Sequence, residues 1–265
     1  MTSYGDLVDV RDGVWEVPEG WRQGRGAWGG LVVAASIRAA RAAAEAGGSA
    51  PEPIVREASV HMVGPVASGP ARVACDLVRR GSSTSVWHVR ISGESGETWA
   101  VATVVFGAAR ARDVIGYPAL VPPQAPDWQD LEALTLEPPL APEFLRHLAV
   151  RPVSGFPYSG SADDVLAWVA PAVPVTAYDD ATLTGMVDAL WPAALVQVSE
   201  ARPMATLSFS ATLLVDPATV DPSVPLLHRG RLLGLAEGYA TESRELWTAD
   251  GRLAVHNAQV IAIIR

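Results

Sequence analysis

Two polar residues interrupt stretches that otherwise read as protein core. Asp188 lies inside Met186-Val187-Asp188-Ala189-Leu190-Trp191, and Gln259 lies in the β-rich stretch Leu253 to Ile264, just ahead of the apolar run Val260 to Ile264. Burying an unpaired carboxylate is costly, so Asp188 must find partners or face a cavity that holds water. A carboxylate so placed can orient and partly deprotonate water, and an amide beside it can fix that water by hydrogen bonds. The bland alternatives are a solvated helix turn for Asp188 and a half-exposed edge-strand residue for Gln259, since both types are mostly found at surfaces. Thr206 offers a hydroxyl to the same task, although threonine is an ordinary strand residue.

Other chemistries are poorly supplied. All basic side chains are arginines, with no lysine, which removes Schiff-base and P-loop lysine mechanisms. The single cysteine, Cys75, cannot form an internal disulfide and sits in an alternating stretch as a small hydrophobe. No pair among His61, His88, His147, His228 and His256 has metal-ligand spacing, so no metal and no cofactor is expected. No Gly-x-Ser-x-Gly elbow is present. A net charge of -9 argues against a whole-protein grip on nucleic acid, while leaving room for a small phosphate-bearing ligand held by a few arginines. The polar, acidic stretch Met1 to Gly13 does not read as a signal peptide, and no apolar run approaches a membrane span. The expected compartment is the cytoplasm.

The elements that must position these residues recur in one order. Trp28 to Ala46 reads as a helix entered through Gly29-Gly30 and stopped at Gly47-Gly48. It is apolar around its first turns and calls for burial on most sides. Four β-rich segments follow: Ile54 to Val63, Ala71 to Arg80, Ser83 to Ser92 and Thr98 to Phe106. After a Pro-rich stretch, Asp163 to Val169 reads as a strand, and Asp179-Asp180 caps a second apolar helix running to about Val196. Four more strands are expected at Thr206 to Leu214, Leu226 to Leu235, Ala240 to Trp247 and Leu253 to Ile264.

Landmarks agree between the halves at an offset of roughly 150 to 157 residues. Met62-Val63-Gly64-Pro65 answers Leu214-Val215-Asp216-Pro217, Gly81 answers Gly238, and Gly96 answers Gly251. The chain is therefore expected to be an α+β duplication, with one half in residues 1–107, a Pro-rich linker in 108–142 and the second half in 143–265. In this alignment Asp188 faces Val33 and Gln259 faces Val104. The polar pair exists once, which points to one site per chain.

At these residues the sequence resembles the TesB-like acyl-CoA thioesterases. The resemblance rests on Ala27-Trp28-Gly29-Gly30-Leu31-Val32-Val33, on Arg79-Arg80-Gly81-Ser82-Ser83-Thr84-Ser85, and most specifically on the run from Asp250-Gly251-Arg252-Leu253 to Gln259. It implies a double hotdog, two tandem helix-plus-antiparallel-sheet repeats, and hydrolysis of acyl-CoA by a water held by Asp188, Thr206 and Gln259. Ser208 competes with Thr206, because one extra residue lies between Thr206 and Pro217 relative to the family pattern. Gly29 and Gly30 are candidates for an oxyanion site, since glycine permits close approach and a helix N-terminus favours negative charge. CoA calls for arginines, with Arg79, Arg80 and Arg90 as candidates and Ser83 beside them. CoA enters only as part of the substrate. The rival readings are a non-catalytic acyl or CoA binding module and an enoyl-CoA hydratase, whose expected Asp and His a few residues apart are missing. Fused hotdogs already satisfy the pairing that single-hotdog proteins reach by dimerising, so a monomer and a homo-oligomer are both compatible with the sequence.

Overall fold

The structure, a computed structural model, describes residues 4–46, 54–110, 120–134, 136–139, 141–200 and 202–264. The first half opens with short strands β1 (Val10–Arg11), β2 (Val14–Val17), β3 (Arg22–Gln23) and β4 (Gly26–Ala27). Helix α1 (Gly29–Ala46) follows, then β5 (Val55–Met62), β6 (Gly69–Arg80), β7 (Thr84–Ser92) and β8 (Thr98–Gly107). The second half holds β9 (Leu148–Ser154), β10 (Val165–Pro171), α2 (Asp180–Gly185), α3 (Ala194–Gln197), β11 (Met204–Leu213), β12 (Leu226–Ala236), β13 (Tyr239–Trp247) and β14 (Leu253–Ile263). Each of the eight long strands expected from sequence forms close to its expected bounds. The sequence reading passes over β1 to β4 and β9: the first four have at most four residues, too few for an alternating pattern to register. The Gly47-Gly48 stop and parts of the 108–142 stretch lie outside the described residues.

Among the described residues, twelve strands form one antiparallel sheet in the order β1-β2-β6-β7-β8-β5-β11-β14-β13-β12-β10-β9. The order is the same read inward from either end, from β2 to β5 and from β10 to β11. The halves join where β5 pairs with β11, centred on Ser59 opposite Ser210. Register then fixes which residues correspond. Ala58 pairs with Val104 and its counterpart Phe209 pairs with Gln259, so Val104 and Gln259 hold equivalent places. One strand further out, Trp87 lies opposite Val104 as Glu242 lies opposite Gln259. Val89 likewise corresponds to Arg244.

Helix α1 packs across β5, β6, β7 and β8, and its residues from Gly30 to Ile37 are all buried. The expected second helix does not run unbroken to Val196. It forms α2, capped by a reciprocal Asp179–Thr182 box, tightens into a 3-10 turn at Met186–Asp188, and resumes only as α3. Pro192 is the cause: it has no N–H for the carbonyl of Asp188 and cannot continue the ladder. The two helical layers meet at glycines. A Cβ on Gly30 would lie 2.6 Å from the Gly185 carbonyl oxygen, and one on Gly185 2.5 Å from that of Gly30. Ala125, Trp128 and Leu131, from the Pro-rich connection, cover the other face of the second-half sheet against Leu166, Trp168, Leu227 and Trp247. Among the described residues no helix is long and apolar enough to cross a membrane.

Candidate active site

The broken helix leaves backbone groups without helical partners, and side chains from two strands and the first half supply them. The indole N–H of Trp28 donates to the carbonyl of Asp188 at 2.8 Å, in place of the missing N–H of Pro192. His228 Nε2 donates to the carbonyl of Val187 at 2.9 Å, which fixes the proton on that nitrogen because a carbonyl only accepts. Burial, aided by the nearby Arg244 charge, pushes the His228 pKa down to about 3, so the ring is neutral. Arg244 Nη1 donates to the carbonyl of Leu190 at 3.2 Å, and Glu242 Oε1 accepts the N–H of Ala194 at 3.0 Å. The turn that carries Asp188 is thus pinned on every side.

Its carboxylate is the centre of a buried polar network. Oδ1 of Asp188 accepts from Gln259 Nε2 at 2.9 Å and from Arg244 Nη1 at 2.8 Å. The backbone N–H of Gly30 lies close enough to the carboxylate to favour its charged form. Gln259 Oε1 in turn accepts the Thr206 hydroxyl at 3.3 Å. Behind Asp188, Arg244 Nε and Nη2 each lie 3.2 Å from Glu242 Oε2. Asp188 is 4% exposed, Arg244 2%, Gln259 1% and Glu242 0%. Burial holds the Asp188 carboxyl above the usual carboxylate range, against the downward pull of Arg244, Gln259 and the Gly30 N–H. Oδ2 faces Gly29: a Cβ there would lie 2.6 Å from this oxygen. Gly29, Thr206 and Met62 are half-buried, so the network reaches the surface on their side.

A β-bulge decides which hydroxyl joins. The β11–β14 register shifts between Thr206 and Ser208, leaving Leu207 as the extra residue. Thr206 then pairs with Ile261, two residues from Gln259 and on the same face, whereas Ser208 pairs with Val260 on the other. Ser208 shares its face with Ser210, which donates to the carboxylate of Glu57 at 3.0 Å on the side away from the helices.

The structure therefore gathers Asp188, Thr206, Gln259, Gly29 and Gly30. It does not bring Arg79, Arg80 or Ser83 to them: β7, β8, β5 and β11 separate β6 from β14. Arg80 lies over the Trp87 ring at 5.7 Å, and Ser83 accepts from Arg110 at 3.2 Å. Cys75, half-buried, has its thiol pushed up to about 11 by burial and by Asp76, which suits packing and not nucleophilic work. Among the described residues no cluster of His, Cys, Asp or Glu could hold a metal ion. Sequence reasoning missed Arg244, Glu242, His228 and the indole of Trp28. The comparison of halves would have found the first two, because Val89 and Trp87 stand in their places. Within Thr241-Glu242-Ser243-Arg244-Glu245 the charges read instead as a solvated strand.

The family model described as the acyl-CoA thioesterase N-terminal domain matches residues 17–107, and the one described as the acyl-CoA thioesterase C-terminal domain matches residues 118–263. No curated protein matches the sequence. Among solved structures, the chain is similar to a hot dog fold protein of unknown function from Alicyclobacillus acidocaldarius, with a TM-score of 0.86 and 24% identity over 100% of this chain and 99% of that one. It is also similar to the tesB protein of Mycobacterium avium subs. paratuberculosis, with a TM-score of 0.77 and 17% identity over 99% and 100% of the two chains. The acyl-CoA thioesterase II TesB2 of Mycobacterium marinum gives a TM-score of 0.68 at 18% identity over 89% and 88%. At these identities the likeness is one of fold, the double hotdog.

Proposed function

This chain belongs to the acyl-CoA thioesterase family and is a thioester hydrolase, and on that premise we propose that it hydrolyses acyl-CoA through one water held by Asp188, Thr206 and Gln259. The observation that carries the reading is the chain of hydrogen bonds from the Thr206 hydroxyl through the Gln259 amide to Asp188 Oδ1. Two donors already occupy Oδ1, so Oδ2, on the half-open Gly29 side, is the oxygen that takes a proton from water. The water oxygen bonds to the thioester carbon, its proton passes to Oδ2, and the carbonyl oxygen becomes an oxyanion. The N–H of Gly29, at the start of α1 and on the Oδ2 side of Asp188, is the group we assign to that oxyanion. Collapse breaks the carbon–sulfur bond, and the proton held by Asp188 returns to the departing CoA sulfur. Nothing covalent forms on the enzyme. A reducing cytoplasm suits the single free thiol.

The test is thiol release from acyl-CoA esters of graded length by the native chain and by Asp188→Asn. Loss of a general base is expected to cost about a hundredfold or more in kcat. Equal rates would make Asp188 structural. The native pH profile adds a second check. The base works only when ionised, and burial raises its pKa, so kcat/KM should climb with pH through a value above the ordinary carboxylate range. An acid limb at the ordinary carboxylate position would contradict the assignment.

A further inference from the structure

Resting on that reading of Asp188 as the base, we propose that Arg244 is the positioning residue of the site, clamping the broken helix to the sheet so that Asp188 Oδ2 is left to face the reacting water. The geometry has three parts. First, one guanidinium nitrogen, Nη1, holds both the carboxylate of Asp188 at 2.8 Å and the carbonyl of Leu190 at 3.2 Å, spanning the bend that Pro192 imposes. Second, the opposite edge of the same planar group rests on Glu242, whose other oxygen takes the N–H of Ala194, where the chain resumes as α3. The clamp therefore grips both sides of the helix break from a single strand, β13. Third, Arg244 and Gln259 converge on Oδ1, which orients the carboxylate and leaves its second oxygen toward Gly29. A lysine, with a point charge and no fork, cannot satisfy Asp188, Leu190 and Glu242 at once.

The network has a charge logic as well. The groups around Asp188 are Arg244 and Glu242 on β13, Gln259 on β14, neutral His228 on β12 and, in the N-terminal turn, the buried Tyr4. Arg244 supplies the positive charge that favours the ionised carboxylate, while Glu242 opposes it. Removing Arg244 should therefore leave a base that ionises at higher pH and is less well aimed. In the first half the equivalent place is held by Val89, in line with a device needed only where Asp188 stands.

The experiment compares pH–rate profiles of native enzyme, Arg244→Met, Arg244→Lys, the double variant Glu242→Gln/Arg244→Met, and Asp188→Asn as reference. The double variant guards against misfolding, because it leaves no buried carboxylate of Glu242 without its cation. Expected are a loss of about tenfold or more in kcat with KM nearly unchanged for the methionine variants, and an acid limb displaced to higher pH. Arg244→Lys should keep the limb near its native position while losing part of kcat. A folded methionine variant with native kcat and native pH profile would overturn the proposal. Should neither methionine variant fold, a native kcat in Arg244→Lys would overturn it and a reduced kcat at native limb would support it. The two failures are separable: an active Asp188→Asn sinks the base itself, whereas an inactive Asp188→Asn beside unaffected Arg244 variants sinks only the clamp.

Discussion

The two halves of the sheet are built alike and filled differently. Under the second-half helix lie Asp188, Glu242, Arg244 and Gln259; at the corresponding places of the first half lie Val33, Trp87, Val89 and Val104. All four first-half residues are buried, and the one polar atom among their side chains, the Trp87 indole N–H, is met locally by the Ser85 hydroxyl at 3.0 Å. The second-half set is tolerable only as a closed network, because each charge taken from water must be met by another group at hydrogen-bonding distance. The helices reflect the same contrast. Helix α1 runs unbroken over Val33, whereas the second helix breaks at Asp188 and hands its carbonyls to Trp28, His228 and Arg244. The lesson is that the scaffold accepts an apolar filling by default, and the polar filling requires several residues to arrive together.

This comparison can be broken most forcefully from the apolar side. Val33→Asp puts a carboxylate where no arginine or glutamine waits, and it should cost about 3 kcal/mol or more in chemical denaturation. A stability within experimental error of native would mean that the first-half site is wetter than its burial implies. A smaller effect should follow from the partner that crosses between halves. Trp28→Phe keeps the ring against Tyr4 and Phe144 but leaves the Asp188 carbonyl unpaired, for a loss of about 1.5 kcal/mol in the same measurement. No loss would show that the carbonyl finds another donor. The bulge supplies the finest distinction. Thr206→Ala should lower kcat by about tenfold, roughly 1.4 kcal/mol, in the thiol-release assay, whereas Ser208→Ala on the opposite face should leave it within about twofold. The reverse ranking would place the working hydroxyl on the other side of β11.

Much of this was legible beforehand, and for identifiable reasons. The eight long strands and α1 announce themselves because alternation and apolar periodicity persist over enough residues to stand out. Asp188 and Gln259 were conspicuous because an internal repeat provides its own control: the same place in the other half is a valine. Arg244 and Glu242 were open to that test too, but they sit among Thr241, Ser243 and Glu245, in a run that local pattern assigns to solvent. Glu245, on the other face of the strand, is buried as well, where it accepts from Arg229, Arg231 and the Trp247 indole, so neighbours in one short run face opposite ways and neither side meets solvent. Composition along the strand does not reveal which side is roofed by a helix.

What the sequence determined by itself was the duplication, the sheet-forming segments and the uniqueness of the polar pair, because these depend on residue type and periodicity along the chain. Only the tertiary structure decided that Thr206 and not Ser208 meets Gln259, that Trp28 of one half holds Asp188 of the other, and that Arg244 closes the network. Those outcomes depend on a one-residue bulge, a proline-broken helix and a seam between distant strands, and each acts by choosing which face, or which partner, a side chain meets in space.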